Sequence, residues 1–224
     1  MTYFAELQRR KFFPIALLLV LCPSRTLVAE EPWTLAKQFD GISVYTRSVA
    51  DSPLREFRGE VEFAASVEQV LNVLRDANTF PNWLPDVLDC QLLRSTDTER
   101  TLYIETAAPW PVWNRDGVFH FTFSRDEDIG SGAANVRVEA VPGFVPVREG
   151  KVRVPRSDGY WRIEPKAGGV RVSYQIHADP GGFIPSWLAN ITVVRMPFKT
   201  LRNLRRRVLS PTPDGVGCPR LPEL

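Results

Sequence analysis

Apolar and polar residues alternate with a period of two along most of the chain, and the period changes to helical spacing in two places. Over residues 54–63, Phe57, Gly59, Val61 and Phe63 share one parity against Arg58, Glu60 and Glu62, which predicts a half-buried strand. Beyond it Val67, Val70, Leu71 and Leu74 recur at helical spacing behind Ser66 and Gln69, a capping-box pair, so a helix is predicted to about Asn78. A longer helix is predicted over residues 185–208, where Trp187, Ile191, Val194, Phe198 and Leu201 form a stripe flanked by Leu188 and Leu204. Pro185 suits its first turn, where the missing N–H costs nothing. Further strands are predicted at residues 42–47, 87–95, 98–108, 115–125, 134–141, 150–155, 159–165 and 170–178. Turns such as Ser157-Asp158-Gly159 and Ala167-Gly168-Gly169 separate several of them, so serial hairpins and an antiparallel sheet follow. A short helix is expected at Trp33–Gln38, and Phe80–Pro85 reads as an aromatic, proline-punctuated connector. The predicted class is α+β, a curved antiparallel sheet wrapped around a long C-terminal helix.

The composition fits one domain with short additions at each end: 224 residues, 44% hydrophobic and 11% aromatic. Arg9, Arg10 and Lys11 followed by the apolar run Phe12–Leu21 read as a secretory leader, with cleavage after Ser24 or Ala29. That run is shorter than the ~20 residues needed to span a bilayer. The expected organisation is a leader at 1–29, a folded domain at 30–209 and a Pro/Gly-rich tail at 210–224. Export is expected, to the periplasm in a bacterium. The leader holds four of the 28 basic residues and one of the 26 acidic ones, so the remaining domain is close to neutral and nucleic acid is not an expected partner. Cys90 and Cys218 either pair in an oxidising compartment or stay as one buried thiol and one tail thiol.

No ligand spacing for a metal, no Gly-x-Ser-x-Gly elbow and no phosphate-binding glycine loop occurs in the sequence. His120 and His177 are the two histidines. Pro197 falls inside the long helix, either bending it along the sheet or loosening its second half as a lid. Lys199, Arg202, Arg205 and Arg206 give that helix a basic side, either a solvated face or a contact for anionic membrane headgroups. Trp83, Trp110, Trp113 and Trp187 suit a boundary between apolar and wet surroundings.

Three stretches resemble the START lipid-transfer family of the Bet v 1-like superfamily: Asp40-Gly41-Ile42-Ser43-Val44-Tyr45-Thr46-Arg47, Trp110-Pro111-Val112-Trp113-Asn114-Arg115-Asp116, and His177-Ala178-Asp179-Pro180-Gly181-Gly182 running into Ile184–Asn190. The likeness spans roughly residues 32–209 and implies a helix-grip fold with a hydrophobic tunnel between sheet and C-terminal helix. It also implies a lipid or another hydrophobic small molecule as partner, transient contact with a membrane surface, no cofactor and a monomeric, non-catalytic protein. Cavity candidates under this reading are Trp83, Tyr103, Trp110, Trp113, Arg115, Phe119, Tyr174, His177, Ile184, Trp187, Leu188, Ile191, Val194 and Phe198. The alternative is a cyclase- or aromatase-like enzyme with polar residues in the same cavity, for which Tyr103, Tyr174 and His177 are the positions to inspect.

Overall fold

The computed structural model describes residues 31–50, 52–126, 132–184 and 186–210, with the side chains of 186–190 outside that description. The expected leader and the tail beyond Ser210, with Cys22 and Cys218, lie outside the described residues. Two strands, β1 (Thr34–Phe39) and β2 (Ile42–Val49), form an opening hairpin turned on Asp40 and Gly41, both at positive φ. Strand β1 stands where a short helix is expected at Trp33–Gln38. A helix of that length is marginal alone, whereas the free edge of β2 offers a row of backbone partners.

Strand β3 (Ser52–Phe63) follows, then α1 (Val67–Arg75), which begins on the expected capping box: the Gln69 amide donates to Ser66 Oγ at 3.2 Å and the Ser66 amide donates to Gln69 Oε1 at 2.8 Å. A 3₁₀ turn at Ala77–Thr79 and the short helix α2 (Phe80–Trp83) occupy the aromatic connector. The remaining strands are β4 (Val87–Ser95), β5 (Glu99–Thr106), β6 (Arg115–Arg125), β7 (Ala134–Ala140), β8 (Val152–Arg153), β9 (Arg156–Lys166) and β10 (Gly169–Asp179), closed by helix α3 (Ser186–Leu209).

The strand order is β1-β2-β3-β10-β9-β7-β6-β5-β4, antiparallel throughout. Only β8 departs from it: the strand predicted at 150–155 shrinks to two residues that run parallel to β6, paired with Arg115 and Asp116 beyond the stretch of β6 that β7 covers. The inward parity of each long strand builds one core with the two amphipathic helices, including Ile42, Val61, Val172, Ile163, Val136, Phe121 and Leu102 from the sheet. Helix α3 contributes Phe198, Leu201, Leu204 and Val208, and α1 contributes Val70, Leu71 and Leu74. This is the helix-grip arrangement. Among the described residues no helix is long and apolar enough to cross a membrane.

Helix α3 approaches the sheet closely at Gly59. A Cβ there would lie 2.7 Å from Leu201 Cδ1 and 3.5 Å from Pro197 Cβ. Pro197 is itself buried, and α3 continues through it. Gly59→Val is therefore expected to destabilise the fold by about 1–3 kcal/mol, the usual cost of overpacking, seen as a lower urea midpoint. An unchanged midpoint would show that α3 does not rest on β3 at this point.

Candidate functional site

Toward its N-terminal half α3 no longer fills the concavity of the sheet, and a cavity of about 350 Å³ remains. That volume lies at the low end of the ~300–1,000 Å³ typical of small-molecule sites. Its inner wall comes from inward-parity residues that continue the core pattern: Phe57 on β3, Phe119 on β6, Val138 on β7, and Tyr174, Ile176 and Ala178 on β10. Thr192, Val193, Met196 and Thr200 of α3 form the roof. The mouth is framed by Leu54 and Arg55, by Leu84–Val87 ahead of β4, by Thr106–Pro109 and Val112 of the β5–β6 turn, and by Pro180 and Ile184 ahead of α3.

Tyr174 is held rigidly, with its ring stacked on Trp161 at 3.8 Å and edge-on to Phe57 at 5.2 Å. Burial pushes its phenol well above the ordinary tyrosine range, so it stays protonated at neutral pH. Arg115 also faces the cavity and is only 6% exposed. Its Nε donates to the Pro180 carbonyl at 3.4 Å, Nη2 to that of Gly181 at 3.2 Å, and Nη1 to that of Trp113. Gly181 sits at φ 67°, and a Cβ there would meet the Arg153 carbonyl at 2.6 Å, so glycine is required for the carbonyl to be presented this way. Desolvation lowers the Arg115 pKa, but the guanidinium remains charged at neutral pH. Across the mouth, Asp86 pairs with Arg195 of α3 at 3.3 Å.

The expected site residues fall into several groups. Arg115, Phe119, Tyr174 and Ile184 line the cavity. Trp110 and Trp113 do not line it; they are 91% and 65% exposed on the turn whose Pro109 and Val112 do. Trp83 is a core residue, edge-on to Phe80. Phe198 is buried in the core beneath Lys37, and Val194 packs against that core. Ile191 is 54% exposed. Trp187 and Leu188 lie in the first turn of α3, and their side chains lie outside the described residues. Tyr103 is fully buried on the outer face, with the Arg148 guanidinium 3.8 Å above its ring, and burial raises its phenol to about 12. His177 contacts Ser52 Oγ at 3.1 Å and His120 contacts Thr101 Oγ1 at 3.1 Å; neither lines the cavity. On the basic side of α3, Arg205 is held by Asp40, Lys199 and Arg202 are half-buried, and Arg206 is exposed.

Sequence reasoning missed Phe57, Val138, Ile176, Val193 and Met196 as lining residues. Strand parity marked Phe57 as inward, whereas the stripe read along α3 passes beside Val193 and Met196, and nothing local separates a cavity wall from packed core. It also missed Phe183, 88% exposed beside Ile184 at the mouth. With Trp110 and Trp113 it forms an apolar rim.

Residues 55–208 match the model of a family described as polyketide cyclase / dehydrase and lipid transport. An uncharacterized protein of Pseudomonas aeruginosa is 37% identical over 176 residues, covering 78% of this chain and 86% of that protein. The phosphatidylcholine transfer protein of Rattus norvegicus is 29% identical over 163 residues, covering 70% and 75%. The crystal structure of a STAR-related lipid transfer protein (fragment 25–204) from Xanthomonas axonopodis is similar at 57% identity and a TM-score of 0.74, covering 80% of this chain and 99% of that one. Human STARD10, at 21% identity and a TM-score of 0.68, shares the fold.

Proposed function

We propose, from the premise that this chain belongs to the polyketide cyclase / dehydrase and lipid transport family, that it carries a lipid or similar hydrophobic molecule in the cavity beneath α3 and exchanges it with membranes. One observation carries the reading: an apolar hollow, not a packed core, lies under the N-terminal half of the gripping helix and opens beside exposed aromatic side chains. An acyl chain gains ~0.8 kcal/mol per methylene on leaving water, but a chain already in a bilayer has that gain. Moving it into an apolar protein cavity is nearly neutral for the tail, which suits a carrier that must both load and release. The exposed rings of Trp110, Trp113 and Phe183 support contact with the bilayer interface, where such rings are favoured. The basic side of α3 is the weaker candidate for that contact, because Asp40 already engages Arg205.

The enzyme alternative needs an acid–base group inside the cavity. The acid in the lining, Asp86, is paired with Arg195, both histidines face elsewhere, and burial holds the lining phenol of Tyr174 protonated, so the carrier reading is preferred. The leader-like segment supports a periplasmic site of action.

The test is transfer of a pyrene-labelled acyl lipid between phosphatidylcholine/phosphatidylglycerol vesicles by the full chain. Acceleration over the protein-free rate is expected, with probe retained on protein separated from vesicles. Replacing Trp110 and Trp113 together by alanine is expected to slow transfer severalfold while leaving equilibrium binding of the probe unchanged. No acceleration and no retained probe would rule the carrier out; unchanged transfer by the double variant would rule out the rim as its membrane contact.

A further inference from the structure

Among the described residues, the other charged side chains that are buried outright, Glu56 and Asp116, are matched by opposite charge. Asp116 is paired with Arg153 at 2.8 Å, and Glu56 with Arg47 at 2.6 Å. Arg115 is the exception. It is as buried as these groups, faces the cavity, and has no carboxylate within ion-pair distance among the described residues. Three main-chain carbonyls occupy three of its five N–H donors. Those dipoles ease its desolvation without cancelling its charge, and one N–H on each terminal nitrogen is left over. Arg55, on the same inward parity of β3 as Phe57, adds a second guanidinium to the lining with no acidic partner among the described residues. Against the two arginines stands Asp86, which Arg195 already neutralises. The mouth is therefore a cationic collar on an otherwise apolar hollow.

We propose that the cavity selects amphiphiles with an anionic head, a carboxylate or a phosphate, seated against Arg115 with Arg55 adding attraction at the rim and the tail lying along Phe57, Phe119 and Ile176. The inference rests on the carrier reading above and names its ligand class. An anionic head restores neutrality to a buried charge and meets a planar donor whose fork geometry matches carboxylate and phosphate oxygens. A purely structural Arg115, fastening the β5–β6 turn to the segment ahead of α3, predicts no preference for ligand charge.

The experiment compares hexadecanoate, hexadecyl phosphate and hexadecanol on the full chain at about pH 8, where both acids are ionised, by displacement of a pyrene-labelled acyl probe. The two anions are expected to bind about tenfold or more tighter than the alcohol, the scale of a hydrogen bond to a charged group. The tighter of the two anions identifies the head. Arg115→Met is expected to bring the three affinities together by weakening the anions alone, with Arg115→Lys retaining part of the preference. Arg55→Gln, at an exposed position, is expected to narrow the anion preference about twofold to threefold and tests the collar even if the Arg115 variants fail to fold. Hexadecanol bound as tightly as the anions by the unaltered protein overturns the inference and leaves the carrier reading standing. Failure of all three to bind removes both.

Discussion

Replacing Asp116 by alanine is expected to cost about 3–5 kcal/mol of folding stability, the range found when one partner of a buried ion pair is removed. Asp116 is fully buried on the outer face of β6. Arg153 grips it with two donors, Nε at 3.0 Å and Nη2 at 2.8 Å. The same guanidinium donates to the carbonyls of Val145 and Pro146, each at 3.0 Å, so one ion pair fastens the long loop between β7 and β8. Without the carboxylate, Arg153 remains enclosed with its charge unanswered. Replacing both together, Asp116→Leu with Arg153→Met, is expected to cost much less than either single change, because no charge is then stranded. Urea unfolding of the three variants checks this; additive losses would mean the pair does not act as one unit. The pair also sets an acid limit. Burial alone would raise the Asp116 pKa, but the hydrogen bonds and charge of Arg153 outweigh it and hold the carboxyl below its ordinary 3.8. A depressed native pKa gives stability that is complete above the unfolded value and lost as pH falls through the native one. The stability gap between the unaltered protein and Asp116→Asn should therefore be constant near neutrality and shrink only below about pH 4. A gap that closes between pH 5 and 7 would contradict the assignment.

Val193→Trp is expected to weaken binding of the pyrene-labelled acyl probe by tenfold or more while leaving the thermal midpoint unchanged or raised. Val193 lies on α3 over the cavity and is half-buried. An indole there occupies space the ligand needs and supplies the dispersion contacts that the walls of an empty hollow lack. Ile191, two residues earlier but exposed and outside the lining, provides the control. Ile191→Trp should bind the probe as the unaltered protein does. Equal binding by Val193→Trp would place the ligand elsewhere, and a large fall in its midpoint would mean the hollow is already filled by side chains.

Much of the architecture was legible because its signals are local. The alternation Gly117, Phe119, Phe121, Phe123 marks the inward face of β6, and the strand spans Arg115–Arg125 as the pattern predicts. The Ser66–Gln69 capping box sets the start of α1 where expected. Trp33–Gln38 misled, because its edge pairing with β2 depends on a neighbour across a turn, not on spacing within the segment. For the candidate site, Arg115 and Ile184 were legible in family-like motifs and Phe119 and Tyr174 lay on predicted strands, yet Trp83 and Phe198 were expected beside them, and both are packed core.

By itself the sequence determined the inward parity of the long strands and where the period changes, since repeats of two and 3.6 residues are written within each segment. The tertiary structure decided which inward residues face a void and which face another side chain. That depends on how α3 seats on Gly59 and where it leaves the sheet, a distance between elements more than a hundred residues apart. The same holds for charge: that Asp116 meets Arg153 while Arg115 meets only carbonyls is a matter of assembly, and two adjacent residues of one strand carry no local sign of it.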